Sequence, residues 1–143
     1  MSNSQKKIYF ASDFHLGVNA RHSSKEREQF IVNWLDSIKD DAEHLYLMGD
    51  VFDFWFEYKK VVPKGFVRLQ GKLAEIADKQ IPITWFSGNH DLWLKEYFEN
   101  ELGAEIIHNP VIREIKGKKF YLAHGDGLGP GDQGYKFIKK RFS

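Results

Sequence analysis

An α/β fold around a parallel sheet is what this sequence predicts, and three observations carry it. Short apolar runs rich in β-formers alternate with longer segments of helical periodicity, as strand–helix–strand crossovers require. The apolar runs end, one after another, in tight clusters of Gly, Asp, His and Asn. Of the 143 residues, 42% are hydrophobic, including 12 Phe and 4 Trp, which suffices for one core and excludes a disordered chain.

The elements follow in order. Ile8 to Ala11 is a short buried strand. Ser23-Ser24-Lys25-Glu26 has the form of a capping box with Ser23 as N-cap. Phe30, Ile31, Trp34, Leu35 and Ile38 then recur at helical spacing, predicting a helix over 24–39. Leu45 to Met48 is the second strand. Phe66, Leu69, Leu73 and Ile76 predict a helix over 64–79, and Ile83 to Phe86 is the third strand. Leu92 to Leu102 reads as a third helix, stopped near Gly103. Ile106-Ile107 is a further short strand. Val111 to Ile115, a turn at 116–118 and Lys119 to Ala123 predict a β-hairpin. Residues 125–134, rich in glycine, form a loop, and Tyr135 to Ser143 opens a helix.

Charge and cysteine narrow the function classes. The net charge is +1, so the basic excess of a dedicated nucleic-acid binder is missing and no nucleic-acid partner is expected. No cysteine is present, which removes disulfides and thiolate metal sites and fits the cytosol. The polar stretch Met1 to Lys7 has no apolar core of a signal peptide, and no apolar run approaches the ~20 residues of a membrane span.

The polar clusters carry the chemistry. They are Asp13-Phe14-His15, Gly49 to Asp53, Gly88 to Asp91, and His124-Gly125-Asp126. The carboxyl ends of strands in an open α/β sheet line its ligand crevice, so all four are expected along one sheet edge. Their oxygen and imidazole donors suit Mn, Fe, Zn or Mg. Asp13 and His15, two apart, point to the same side if the strand continues through them. A carboxylate such as Asp50 can bridge two cations with its two oxygens, and such pairs generate a hydroxide and clamp phosphate oxygens. Glycines at 49, 88 and 125 let the backbone turn and approach closely. Taken singly, an Asp after a strand is a turn or cap and a His is structural; four successive strand ends carrying ligand types favour a metal site. His22, His44 and His108 lack that setting and read as surface or structural residues.

Asp-x-His, Gly-Asp-x-x-Asp, Gly-Asn-His-Asp and a later His-Gly-Asp, in this order, resemble the calcineurin-like metallophosphoesterases over nearly the whole chain. The resemblance implies an αββα sandwich. It implies that Asp13 and His15 hold one divalent metal, that Asp50 bridges, and that Asn89 and His124 hold a second. His90 would face the phosphate, Asp91 would orient His90, and Asp53 would be a supporting or capping residue. Manganese is the favoured ion, with magnesium, iron, zinc and cobalt admitted. Gly49 to Trp55 and His124 to Tyr135 further resemble the UDP-2,3-diacylglucosamine hydrolases of lipid A synthesis. These cleave a pyrophosphate to UMP and lipid X, and Asp132 and Tyr135 become candidates for contacts with the substrate head group.

Two departures accompany the resemblance. Many members of the hydrolase group carry Arg where His90 stands, and no histidine follows His124, where the family places a Gly-His-x-His motif. Residues 1–143 are therefore expected to be a partial domain, the N-terminal portion, with weak metal occupancy, little turnover, and association through exposed apolar surface. Lys136, Lys139, Lys140 and Arg141, interleaved with Phe137, Ile138 and Phe142, suggest peripheral contact with the cytoplasmic face of the inner membrane or, more simply, a solvated helix face. Two alternatives stay open: action on another phosphomonoester or phosphodiester, and a non-catalytic module on the same fold.

Overall fold

In the computed structural model, residues 5–125 are described. Their elements are β1 (Lys7–Ala11), α1 (Ser24–Ile38), β2 (Ala42–Leu47), α2 (Val67–Asp78), β3 (Ile83–Phe86), α3 (Tyr97–Leu102), β4 (Glu105–Ile107), β5 (Val111–Ile115) and β6 (Lys118–Leu122). β1 to β4 form a parallel sheet in chain order, and β5 pairs antiparallel with β6 as a separate two-stranded sheet. The predicted α/β fold and hairpin are thus observed, as helix layer, parallel sheet and hairpin layer.

Side-chain alternation in the parallel strands builds two unequal cores. Leu45 and Leu47 of β2, with Ile83 and Trp85 of β3, face the three helices and meet Leu35, Leu69, Leu73 and Phe98 there. Tyr46 and Phe86 face the other way and meet Leu122 of β6, with Ile8, Ile107, Val111 and Ile115 around them. The hairpin turns at Lys116 and Gly117, both at positive φ (51° and 79°), as a tight two-residue turn demands.

Side-chain carboxylates set the helix starts, an exposed one at α1 and buried ones at α2 and α3. α1 has the predicted capping box: Ser23 Oγ accepts the Glu26 N–H at 3.1 Å, and the Ser23 N–H reaches Glu26 Oε2 at 3.3 Å. α2 begins at Val67, not 64, because Phe66 takes a left-handed conformation without a side-chain cap. Glu28 of α1, buried, supplies one instead by accepting the Leu69 N–H at 3.0 Å. The helix predicted over 92–102 is a correction. It spans only Tyr97–Leu102, since Trp93 bridges to Phe56 and the buried Glu57 accepts the N–H groups of Lys95 and Tyr97 at 2.9 and 3.0 Å. Its end at Gly103, φ 66°, is where the sequence places it.

Candidate metal centre

Past their last paired residues, β1 and β2 remain zipped together. The N–H groups of Asp13, His15 and Leu16 donate to the carbonyls of Gly49, Asp50 and Val51 at 3.0, 2.9 and 3.0 Å. Asp13, His15 and Asp50 all hold left-handed backbones, at φ 62°, 47° and 53°. Such strain in non-glycine residues concentrates at functional sites, where the surroundings enforce it. It also corrects one expectation. β1 stops at Ala11, so Asp13 and His15 do not share a side through strand alternation. They converge because both residues turn left-handed, which brings His15 Nε2 to 3.6 Å from Asp13 Oδ1.

Asp50 lies at the centre, almost wholly buried. Its Oδ1 accepts the His90 N–H at 2.9 Å. Its Oδ2 faces His15 Nε2 at 3.6 Å and His124 Nε2 at 3.2 Å. Oδ2 is thus the oxygen that both imidazoles approach. Burial pushes the Asp50 carboxyl up, but hydrogen bonds from His124 and His90, with the charges of His124 and His15, hold it below its ordinary value.

The fourth cluster arrives from the other sheet. His124 follows β6, not a strand of the parallel sheet, so the expected single edge is instead a seam between two sheets. Its Nδ1 lies 2.8 Å from the Met48 carbonyl, which can only accept, so Nδ1 carries the proton and Nε2 points inward. Nε2 also lies 3.2 Å from Asn89 Oδ1. The hydrogen bond to Asp50, followed by the Met48 carbonyl and the charges of Asp50 and Asp13, raises His124 to about 9 against the opposing effect of burial. Two glycines make room for this packing. A Cβ on Gly49 would lie 2.5 Å from His124 Nδ1, and one on Gly88 would lie 2.6 Å from the Asp50 backbone nitrogen.

Two donor groups thus share Asp50: Asp13 and His15 on one side, Asn89 and His124 on the other. The ligating atoms of Asp13, His15 and Asp50 all lie within 4.8 Å of one another. Hard oxygens with imidazole nitrogen fit divalent first-row cations and magnesium, so the donor set suits ions of that kind.

Around these donors the two remaining aspartates exchange the parts the sequence suggests. Asp53, not Asp91, orients His90: His90 Nδ1 lies 3.2 Å from both Asp53 Oδ1 and the Asp53 carbonyl. The same Oδ1 takes His15 Nδ1 at 3.3 Å. Both contacts leave Nε2 of each ring free for ligand or substrate, as carboxylate-backed histidines do. Asp91, fully buried, instead accepts the N–H groups of Asp50, Val51, Phe52 and Gly88 at 3.1, 2.9, 3.4 and 2.7 Å. It fixes the backbone that carries Asp50. Burial raises its carboxyl, with the Asp50 charge adding and the N–H groups of Gly88, Phe52 and Asp50 opposing.

The three other histidines stand apart. His22 pairs with Glu26 on α1, His44 stacks on Tyr46 and meets Thr84, and His108 meets Ser87 Oγ at 2.9 Å. Sequence reasoning missed Glu28 and Glu57: Glu57 shows as a lone carboxylate among aromatics, whereas Glu28 sits in a charged stretch, Lys25 to Gln29, that gives no signal. Asp132 and Tyr135 lie outside the described residues, as do Asp126 and the basic segment 136–142.

The family model for calcineurin-like phosphoesterases matches residues 6–140. The chain belongs to that family. It is 43% identical over 138 residues to a UDP-2,3-diacylglucosamine hydrolase of Porphyromonas gingivalis, covering 96% of this chain and 50% of that protein. It is 30% identical over 139 residues to a protein of the same name from Histophilus somni, covering 95% and 56%. The chain spans about half the length of these curated relatives. Among solved structures, a protein of unknown function from Aquifex aeolicus aligns with TM-score 0.53 and 22% identity over 94% of this chain and 68% of its own. A phosphoesterase from E. coli aligns with TM-score 0.50 and 22% identity over 87% and 60%. These two support the fold alone.

Proposed function

We propose that residues 1–143 are the N-terminal, metal-binding portion of a hydrolase that cleaves the pyrophosphate of UDP-2,3-diacylglucosamine to UMP and lipid X. The observation that carries the reading is the pair of donor groups joined at Asp50 with His90 beside them. The name shared by the relatives supplies the substrate. Two divalent cations, manganese the favoured pair, supply a nucleophile at neutral pH and charge for the phosphate oxygens.

Asp13, His15, Asp50, Asn89 and His124 hold those cations, and Asp91 holds Asp50 in place through its backbone. His90, its Nδ1 fixed by Asp53, presents Nε2 to the reacting phosphoryl group. There it donates to a phosphate oxygen or protonates the leaving one. Water adds to one phosphorus, the bond from that phosphorus to the bridging oxygen breaks, and the second phosphate leaves. Asp132 and Tyr135 are proposed contacts for the head group. The protein is read as cytoplasmic and peripheral on the inner membrane, because its substrate is lipid-linked. In the described residues no helix is long and apolar enough to cross a membrane.

One observation favours a second substrate class. His90 is the residue of the wider family, where many of these hydrolases carry Arg. The deciding assay is UMP release from UDP-2,3-diacylglucosamine by the longer parent protein with Mn²⁺, beside Asp50→Asn and His90→Ala. Release that disappears in Asp50→Asn is expected. No release, with hydrolysis of simple phosphodiesters retained, would keep the metal centre and overturn the substrate.

A further inference from the structure

Residues 54–58 alternate in the sense opposite to an ordinary surface strip. Trp55 and Glu57 face inward, at 0% and 7% exposure, while Phe54, Phe56 and Tyr58 face outward at 58%, 42% and 56%. The inward side is pinned. Trp55 Nε1 donates to Glu57 Oε2 at 3.0 Å, and Glu57 also accepts the N–H groups of Lys95 and Tyr97. The outward aromatics are therefore held on a fixed backbone.

They are also contiguous. Trp93, bridged to Phe56, stands 6.2 Å from the Phe54 ring and 6.4 Å from the Phe56 ring. Tyr58 and Val61 exchange both backbone hydrogen bonds, at 3.0 and 2.8 Å, so the chain reverses over Lys59 and Lys60. Lys59 Nζ lies 5.3 Å from the Tyr58 ring centre and Lys95 Nζ lies 5.9 Å from that of Phe56. The strip's sole carboxylate, Glu57, is turned inward, which leaves the lysines as the charge it presents. Glu96 and Glu101 line the same hollow as these lysines, behind the aromatic row.

Single exposed aromatics need no explanation, whereas a contiguous ledge of them does. Aromatic bodies at one level, with lysine stems beside them, match the boundary between acyl chains and phosphates. We propose that this ledge docks the protein on an anionic phospholipid surface. Phe54, Phe56, Tyr58 and Trp93 lie at the headgroup level, and Lys59, Lys60 and Lys95 meet lipid phosphates. The ledge begins one residue after Asp53 and three after His90, so docking sets the mouth of the metal centre at the bilayer. The inference deepens the reading above, since a diacylated substrate has to be met there, but its test needs no turnover.

The test is flotation of the chain with vesicles of phosphatidylcholine plus phosphatidylglycerol, and with phosphatidylcholine alone. Flotation with the anionic vesicles and much less with the neutral ones is expected. Lys59→Glu/Lys60→Glu should lower partitioning by about fivefold or more per lysine. Phe56→Ser/Tyr58→Ser should lower it at least tenfold while the circular dichroism spectrum stays unchanged. Acyl-brominated lipid should quench tryptophan emission, and Trp93→Phe should remove most of that quenching. If the serine variant fails to fold, the lysine variant and the quenching decide. Absent flotation, equal flotation with neutral vesicles, or flotation and quenching unchanged in every variant would overturn the proposal. Absent flotation with normal UMP release by the parent would leave the catalytic reading standing. Flotation without UMP release would leave the docking standing.

Discussion

The two faces of the parallel sheet are built differently. The helix side buries Leu45, Leu47, Ile83 and Trp85 against three helices in one large cluster. On the hairpin side only Tyr46, Phe86 and Leu122 are buried in the clustered core of the described residues, and Phe10, Ile112, Phe120 and Tyr121 remain exposed. The metal centre sits across this difference. Asp13, His15 and Asp50 are positioned by β1 and β2 and by Asp91, all backed by the helix-side core. His124 is brought in by the hairpin, whose hold on the sheet is thinner. One donor group is thus built into a rigid wall, and the other depends on two sheets staying docked.

Removing the shared residue should erase the difference altogether. In the parent, Asp50→Asn should cost about three orders of magnitude in turnover, because both groups lose their common donor and several kcal/mol of charge stabilisation go with it. Steady-state kinetics with an unchanged circular dichroism spectrum would check this, and near-normal turnover would refute it. A pair of core truncations should then separate the faces. Leu73→Ala on the helix side should destabilise the chain by about 3–5 kcal/mol, while Leu122→Ala should cost about 2–3 kcal/mol. Leu122→Ala should also weaken one metal equivalent more than the other, since Leu122 lies two residues before His124. Denaturant melts and metal titrations read both effects, and equal weakening of the two equivalents would argue against the contrast.

A smaller effect belongs to Asp53. Asp53→Asn should lower turnover by about 10–100-fold, by loosening His15 and His90 together. It should also shift the pH profile, which a purely structural role would not do. Asp91→Asn should act mainly on stability and metal binding instead. The smallest effect concerns pH in the metal-free chain. His124 is raised to about 9 from an ordinary 6.5, so its pairing with Asp50 stabilises fully below pH 6.5 and is lost as pH rises through about 9. Melting in the presence of a chelator at about pH 6 and about pH 9.5 should show this loss, and His124→Gln should reduce it.

Most of the fold was legible because its signals are local. Periodicity placed α1, α2 and the strands, the Ser23–Glu26 pattern placed a cap, and Gly103 placed a stop. Residues 92–96 read as helix because Leu92 and Leu94 are apolar, but Glu57, some forty residues earlier, takes the N–H groups that set the true start. The donors were legible as types at strand ends, whereas their convergence was not. Left-handed backbones at Asp13, His15 and Asp50 leave no mark in a hydropathy pattern. Nor does adjacency reveal function: Asp91 neighbours His90 in sequence, yet it is Asp53, from another loop, that reaches the ring.

The central claim is that two cation sites share Asp50 and that the second depends on His124. Electron paramagnetic resonance of the chain at saturating Mn²⁺ tests it most directly. An exchange-coupled dimanganese signal that gives way to an isolated-ion signal in His124→Ala is the predicted result. An isolated-ion signal in the unaltered chain at full occupancy of two ions, or coupling that persists in His124→Ala, would contradict it.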